Sequence, residues 1–234
     1  MRIGSLFSGI GGLELGLERA GVGHTVWQVE QSEFCRGVLA RHWPDAKRYT
    51  DVRVFEPPPV ELVCGGFPCQ DLSTAGRKAG ISGERSGLWQ EMCRIIAAAC
   101  PTWVVIENIH HAWRRWVPVV RRDLFALGLA SVPLRLSAAD VGAWHRRRRV
   151  FILAHSDSTK LRLLARRWGG ASRQAAPESE HPSRWPGPPR IDRAADGLPD
   201  RLERNRALGN AVAPQVAEVV GRALLAIHTQ LERP

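Results

Sequence analysis

The chain has 234 residues, 44% of them hydrophobic, which allows one well-buried core and at most a small appended lobe. Lys and Arg number 33 against 23 Asp and Glu, a formal charge of +10 that suits polyanionic partners. No apolar run approaches the ~18–20 residues that cross a bilayer, and five irregularly spaced cysteines exclude a disulfide scaffold.

Up to residue 154, short apolar runs alternate with helical stretches, the pattern of an α/β protein with a mostly parallel sheet. Strands are predicted at Ile3–Phe7, Thr25–Glu30, Glu61–Cys64, Trp103–Glu107 and Val150–Ala154. Leu13, Leu17 and Ala20 repeat at helical spacing, as do Leu88, Met92, Ile95 and Ile96 ahead of Pro101. A third helix is expected over Val117–Leu127, ending at Gly128. From His155 to about Arg201 the regularity fails, and prolines 182, 186, 188 and 189 forbid a helix or central strand around Trp185. Trp168 and Trp185 are costly in a linker, so this stretch reads as a small irregular lobe. Between Trp144 and Arg206 stand 15 Lys and Arg against 7 Asp and Glu, so most of the excess charge lies there. Order returns at Pro214, where Val216, Val219, Val220, Ala223 and Ile227 mark one face of a last helix.

Chemistry-bearing residues fall at predicted strand ends. The first strand runs into Phe7-Ser8-Gly9-Ile10-Gly11-Gly12 and then a helix, a turn whose backbone a nucleotide-like ligand can approach. Glu14 stands where a nicotinamide fingerprint needs its third glycine, which argues against a dehydrogenase. Glu30 ends the second strand, about 20 residues on, where a carboxylate can hold ribose hydroxyls. Asp51 follows a third strand and can accept from an adenine amino group. Gly65-Gly66-Phe67-Pro68-Cys69-Gln70-Asp71-Leu72-Ser73 leaves a buried strand and brings Cys69 to the carboxyl edge of the sheet. Cys64 and Cys69 have no nearby His or second Cys pair, so no metal site is expected. The stretch from Gln70 to Ser86, with Gly76, Gly80 and Gly83, reads as a lid. Glu107 ends the Val104-Val105-Ile106 strand at the same edge. In His145-Arg146-Arg147-Arg148-Arg149, strand alternation would put Arg147, Arg149 and His145 on one face.

In order and spacing these segments resemble the C5-cytosine DNA methyltransferase family, over roughly residues 2–154 and 204–223. The resemblance implies a Rossmann-like α/β fold that binds S-adenosylmethionine and carries a small irregular target-recognition lobe. Its expected divisions are a catalytic and donor-binding domain at 1–154, a recognition region at 155–203, and a return segment at 204–234. It implies Cys69 as nucleophile, Glu107 as the acid, and Arg147 and Arg149 as catalytic arginines, Arg149 being the first candidate to favour the Cys69 thiolate. Phe7, Ser8, Gly9, Ile10, Gly11, Gly12, Glu30, Asp51, Val52, Pro68, Asn210 and Ala211 are the implied donor contacts. Gln70, Ser73, Arg85, Arg162, Arg166, Arg167 and Arg184 are the implied DNA contacts. Trp144, His145 and Arg148 depart from the family's common Pro, Gln and Glu.

The expected reaction adds the Cys69 thiolate to carbon 6 of an extruded cytosine and transfers a methyl group to carbon 5 of double-stranded DNA. Expected biology is a cytoplasmic monomer in restriction-modification, orphan or phage-protective methylation, with a cognate endonuclease as candidate partner and neither metal nor membrane. A tRNA cytosine methyltransferase is the nearest alternative, disfavoured by the lack of a Cys-Phe-Thr segment. A non-catalytic DNA-binding protein is another, disfavoured by the intact Pro-Cys-Gln, Glu-Asn and Arg-x-Arg set.

Overall fold

A computed structural model describes residues 1–68, 87–111, 113–159, 161–162 and 201–230. Its strands are β1 (Arg2–Leu6), β2 (His24–Val29), β3 (Lys47–Tyr49), β4 (Leu62–Gly65), β5 (Trp103–Ile109), β6 (Ala130–Leu136) and β7 (Arg149–His155). They make one sheet in the order β3-β2-β1-β4-β5-β7-β6, parallel from β3 to β5, with β7 antiparallel to both neighbours. The chain leaves β1 toward one edge and resumes at β4 on the other side. Loops leaving the carboxyl ends of β1 and β4 therefore diverge and open a crevice between them.

Helices α1 (Gly12–Arg19) and α6 (Pro214–Gln230) cover one face of this sheet. There Leu13, Leu17, Val216, Val220 and Ile227 pack on Ile3, Leu62, Val105 and Leu153. Helices α3 (Gly87–Ala99) and α4 (Trp113–Ala126) cover the other with Trp89, Met92, Ile96, Trp116 and Val120 against Val63, Val104 and Ile106. Burial on both faces explains why the central strands read as unbroken apolar runs. The architecture is the expected Rossmann-like α/β fold.

Several elements depart from the sequence expectation. Helix α2 (Glu33–His42) was not anticipated, although Ser32 caps it by accepting from the Cys35 amide (3.3 Å). Strand β6 was also missed, because it carries Pro133; as the edge strand it tolerates a residue without a donor. Helix α4 begins at Trp113, ahead of the expected Val117, and holds Pro118 inside it. Helix α5 (Arg201–Asn210) was not anticipated and makes Asn210 a helix end. The strand expected to align His145, Arg147 and Arg149 starts only at Arg149, and Arg147 has φ 25°, so alternation does not apply.

Helix α1 packs so closely on α6 that a Cβ at Gly16 would lie 2.4 Å from Ala217 Cβ and from the Pro214 carbonyl. Gly37, exposed on α2, has nothing within 4 Å. Gly16→Ala should therefore cost about 1–3 kcal/mol, whereas Gly37→Ala should add about 0.5–1 kcal/mol. Urea unfolding midpoints moving in opposite directions would bear this out; a common direction would contradict the packing.

Candidate active site

The ends of β1, β2 and β3 are stitched together by backbone and carboxylate. Ser8 N–H donates to Val29 O (3.3 Å) and Glu30 N–H to Tyr49 O (3.0 Å). Glu30 Oε2 accepts from Gly9 N–H and Oε1 from Ser32 N–H, both at 2.8 Å. Phe7, Gly9 and Gly11 all have positive φ, at 55°, 57° and 83°. For Phe7 that conformation is strained, and it lets the chain reverse between strand and helix. At Gly9 the space a side chain would fill is empty to 4 Å, so the backbone lies open to a ligand.

Several of the residues expected to contact the donor also make contacts within the protein. A Cβ at Gly12 would meet the Val212 carbonyl at 2.1 Å, and one at Gly11 the Trp43 ring at 2.3 Å; both glycines serve close packing of the protein on itself. Ser8 is buried and its hydroxyl donates to Ser5 Oγ (2.9 Å). Val52 buries its side chain in the core and gives its carbonyl to Arg94 Nη2 (2.7 Å). Asp51 is clasped by Arg53 (2.8 Å), which holds its carboxyl below the usual range. It borders a cleft of about 290 Å³ with Tyr49, Thr50, Val54, Phe55 and Glu56. Ile10 and Ala211 are half-buried, while Pro68 and Asn210 are exposed.

The ends of β4 and β5 form the second half. Phe67 is wedged between Trp89 and Trp116, with ring centroids 5.4 and 6.0 Å away. Asn108 Nδ2 donates to Phe67 O (3.0 Å), while its Oδ1 accepts from the Ile109 amide (2.8 Å). Gly66 lies against Glu107: a Cβ there would be 3.0 Å from Oε2. The chain is thus pinned by three contacts just before Pro68. Asn108, Gly66 and Phe67 were overlooked as positioning residues, though each lies inside a motif already singled out.

Glu107 is 7% exposed, and burial pushes its carboxyl up to about 7 against the opposing pull of Arg149 and Arg147. Arg149 Nε lies 2.7 Å from Glu107 Oε1, yet that oxygen receives no aligned hydrogen bond. Arg147 turns elsewhere and donates through Nη2 to Gly209 O (2.7 Å) and Ala211 O (2.5 Å). The two arginines do not share a face, correcting the sequence expectation: Arg149 meets the acid and Arg147 clamps the segment after α5. Beneath the glycine turn, Glu14 is fully buried with neither oxygen partnered. Burial drives it to about 7, opposed by nearby Ser5 and Ser8 hydroxyls that make no aligned bond to it.

Cys69, Gln70, Ser73, Arg85, Arg166, Arg167 and Arg184 lie outside the described residues, as does the expected lid from Gln70 to Ser86. Arg162 is described and exposed. It lines a cleft with Ala130 and Ser131, at the amino-terminal end of β6. The edge that carries Glu107 is at the strand's other end, roughly 20 Å away at ~3.3 Å per residue. Among the described residues no cluster of metal-ligating side chains is present and no helix is long and apolar enough to cross a membrane.

Comparison with known proteins points the same way. The profile of C-5 cytosine-specific DNA methylase matches residues 1–196. The type II methyltransferase M2.BsuMI of Bacillus subtilis (strain 168) is 37% identical over 163 residues, covering 66% of this chain and 42% of that protein. A solved structure described as a DNA modification methyltransferase encoded within an E. coli prophage matches at TM-score 0.57 and 25% identity, over 68% of this chain and 48% of that one. The Entamoeba histolytica methyltransferase EhMeth shares the fold at TM-score 0.68 and 14% identity, over 97% of this chain and 98% of that one. The chain spans under half the length of the first curated relatives it matches.

Two buried carboxyls with raised pKa make stability fall as pH rises. The folded state keeps protons that the unfolded chain releases between pH 4.5 and about 7. The stabilisation is complete below pH 4.5 and drains away toward neutrality, by at most about 3 kcal/mol per group. Glu14→Gln and Glu107→Gln should each flatten part of that decline in denaturant melts at pH 4.5, 6 and 7.5. Parallel curves for wild type and both variants would contradict it.

Proposed function

Because the chain belongs to the C-5 cytosine-specific DNA methylase family, we propose that it methylates carbon 5 of cytosine in double-stranded DNA, with S-adenosylmethionine as donor and Cys69 as nucleophile. The observation that carries the reading is Glu107: a buried carboxyl, raised to about 7, at the strand end beside the loop leading to Cys69. Only Phe67 and Pro68 separate Gly66, which lies against Glu107, from Cys69 in the sequence.

The residues at the first crevice fit the donor. Gly9 leaves its backbone open, Glu30 keeps lone pairs free for ribose hydroxyls after accepting two amides, and Asp51 borders a cleft at the neighbouring strand end. When bound, the donor supplies an electrophilic methyl group on a sulfonium. Everything else is asked of the chain. Carbon 5 is a poor nucleophile until a thiolate adds to carbon 6 and breaks the ring's aromaticity. Glu107, half-protonated near neutrality, can share its proton with ring N3 as charge develops there. Loss of the carbon 5 proton then expels Cys69 and restores the ring. Asn108 and the Trp89–Phe67–Trp116 box act as positioning groups, holding the chain that leads to the sulfur. The cytosine must leave the stack to be reached, at a cost of a few kcal/mol.

A cytoplasmic setting, a role in restriction-modification and a recognition role for residues 155–203 belong to the same proposal. The type II naming of the relatives supports the second of these. A pool of random duplexes containing 5-fluorocytosine tests the chemistry, because fluorine at carbon 5 cannot leave as a proton does. With donor present, the full chain should form a denaturant-stable adduct mapping to the peptide that contains Cys69. Cys69→Ala should form none. An unmodified wild-type peptide overturns the proposal, and an adduct on tRNA but not DNA replaces it with the tRNA reading.

A further inference from the structure

The DNA contacts implied by the resemblance lie at Gln70, Ser73 and Arg85 and after residue 155, yet a concentrated unneutralised positive surface lies elsewhere in the fold. It sits where β5, β7 and β6 end, on the α4 side of the catalytic edge. Trp113, at the start of α4, carries Arg114 at 5.6 Å and Arg135 at 5.3 Å from its ring centroid. His110, one residue beyond β5, tilts against the same ring at 6.4 Å. Burial, and then the nearby charges of Arg148 and Arg135, hold the His110 imidazole below its usual range. Arg114, Arg135 and Arg148 are exposed. Among the described residues none of the three pairs with a carboxylate. Register ties them to the site: Arg135 stands opposite Val150, and Val150 opposite Asn108, whose side chain holds the Phe67 carbonyl.

Like charges gathered without counter-charge cost free energy unless a polyanion supplies it. Trp113 spaces two guanidinium groups by cation–π contact, which leaves their N–H forks free for bidentate bonds to phosphate oxygens. Along the strand direction the patch is offset from Glu107 by one to three residues, or ~3–10 Å, and Arg135 lies two strands across, a further ~10 Å. That is the reach of the backbone phosphates next to a nucleotide turned into the site.

We propose that Arg114, Arg135 and Arg148, arrayed around Trp113, form a phosphate-binding surface for the DNA strand that carries the target cytosine. The inference rests on the proposed DNA methylation and gives the backbone grip to residues outside the basic 155–203 region. These contacts carry no base information; they set the register of the strand over Glu107.

Salt dependence of DNA affinity reads this directly, since each phosphate contact adds about 0.9 to the slope of log K against log salt. Full-length Arg114→Ala/Arg135→Ala/Arg148→Ala protein should lose two to three units of that slope and bind duplex DNA at least tenfold more weakly. Arg122→Ala is the control: that arginine is also exposed on α4 but already paired with Asp123, so its slope should match wild type. Donor affinity measured on each variant reports folding, and retained donor binding with an unchanged slope overturns the surface. Equal slope loss on double-stranded RNA, with RNA bound as tightly as DNA, overturns its assignment to DNA. The 5-fluorocytosine adduct keeps the two ideas apart. An adduct with an unchanged slope removes only the surface, and a lowered slope without any adduct upholds the surface while removing the reaction.

Discussion

The site is organised by one buried electrostatic contact, Arg149 against Glu107, between neighbouring strands running in opposite directions. Burial alone would leave Glu107 a neutral acid well above neutrality, and two nearby arginines alone would keep it a carboxylate. Opposed, they bring it to about 7, where an acid both gives and retakes a proton at small cost. This depends on the sheet: Glu107 sits opposite Phe151, so the strand that buries the acid is the one that delivers Arg149 two residues earlier. Parallel pairing from a distant crossover would not put those two residues in that relation.

The second organising contact joins the halves of the site. Residues 209–212 touch the glycine turn where the Val212 carbonyl meets Gly12, and the Glu107 side where Arg147 binds the Gly209 and Ala211 carbonyls. The segment arrives late in the chain and fills the gap between two strand ends formed early. A short backbone bridge with its carbonyls held at both ends transmits position more faithfully than a side-chain contact, because it has few rotamers to lose.

Much of this was legible in the residues because it is local. Val104-Val105-Ile106 followed by Glu107 announces a buried strand ending in a carboxylate, and Gly9 to Gly12 announces a turn. What was illegible depends on distance or on a tolerated exception. Nothing near Gly12 says that its missing Cβ accommodates a carbonyl 200 residues away. Strand β6 hides behind Pro133, acceptable because among the described residues no further strand pairs beyond it. Alternation misassigned Arg147, since the rule holds only inside a strand and Arg147 precedes one in a left-handed conformation. The basic region from Trp144 to Arg206 drew attention by count, whereas Arg114 and Arg135 lie outside it and are gathered with Arg148 only by the fold.

The same pair bears on how a nucleophilic sulfur could be ionised at this edge. Arg149 was expected to favour the thiolate, yet its Nε lies against Glu107. While Glu107 is a carboxylate, the guanidinium field is largely cancelled for any other anion. Once Glu107 takes a proton, as the proposed reaction requires, the charge of Arg149 is uncompensated in a site 15% exposed or less. An anion reaching that end of the sheet is then stabilised by the arginine the acid has released. Protonation of the acid and ionisation of the nucleophile, which would oppose each other in free solution, are driven in the same direction by one shared guanidinium.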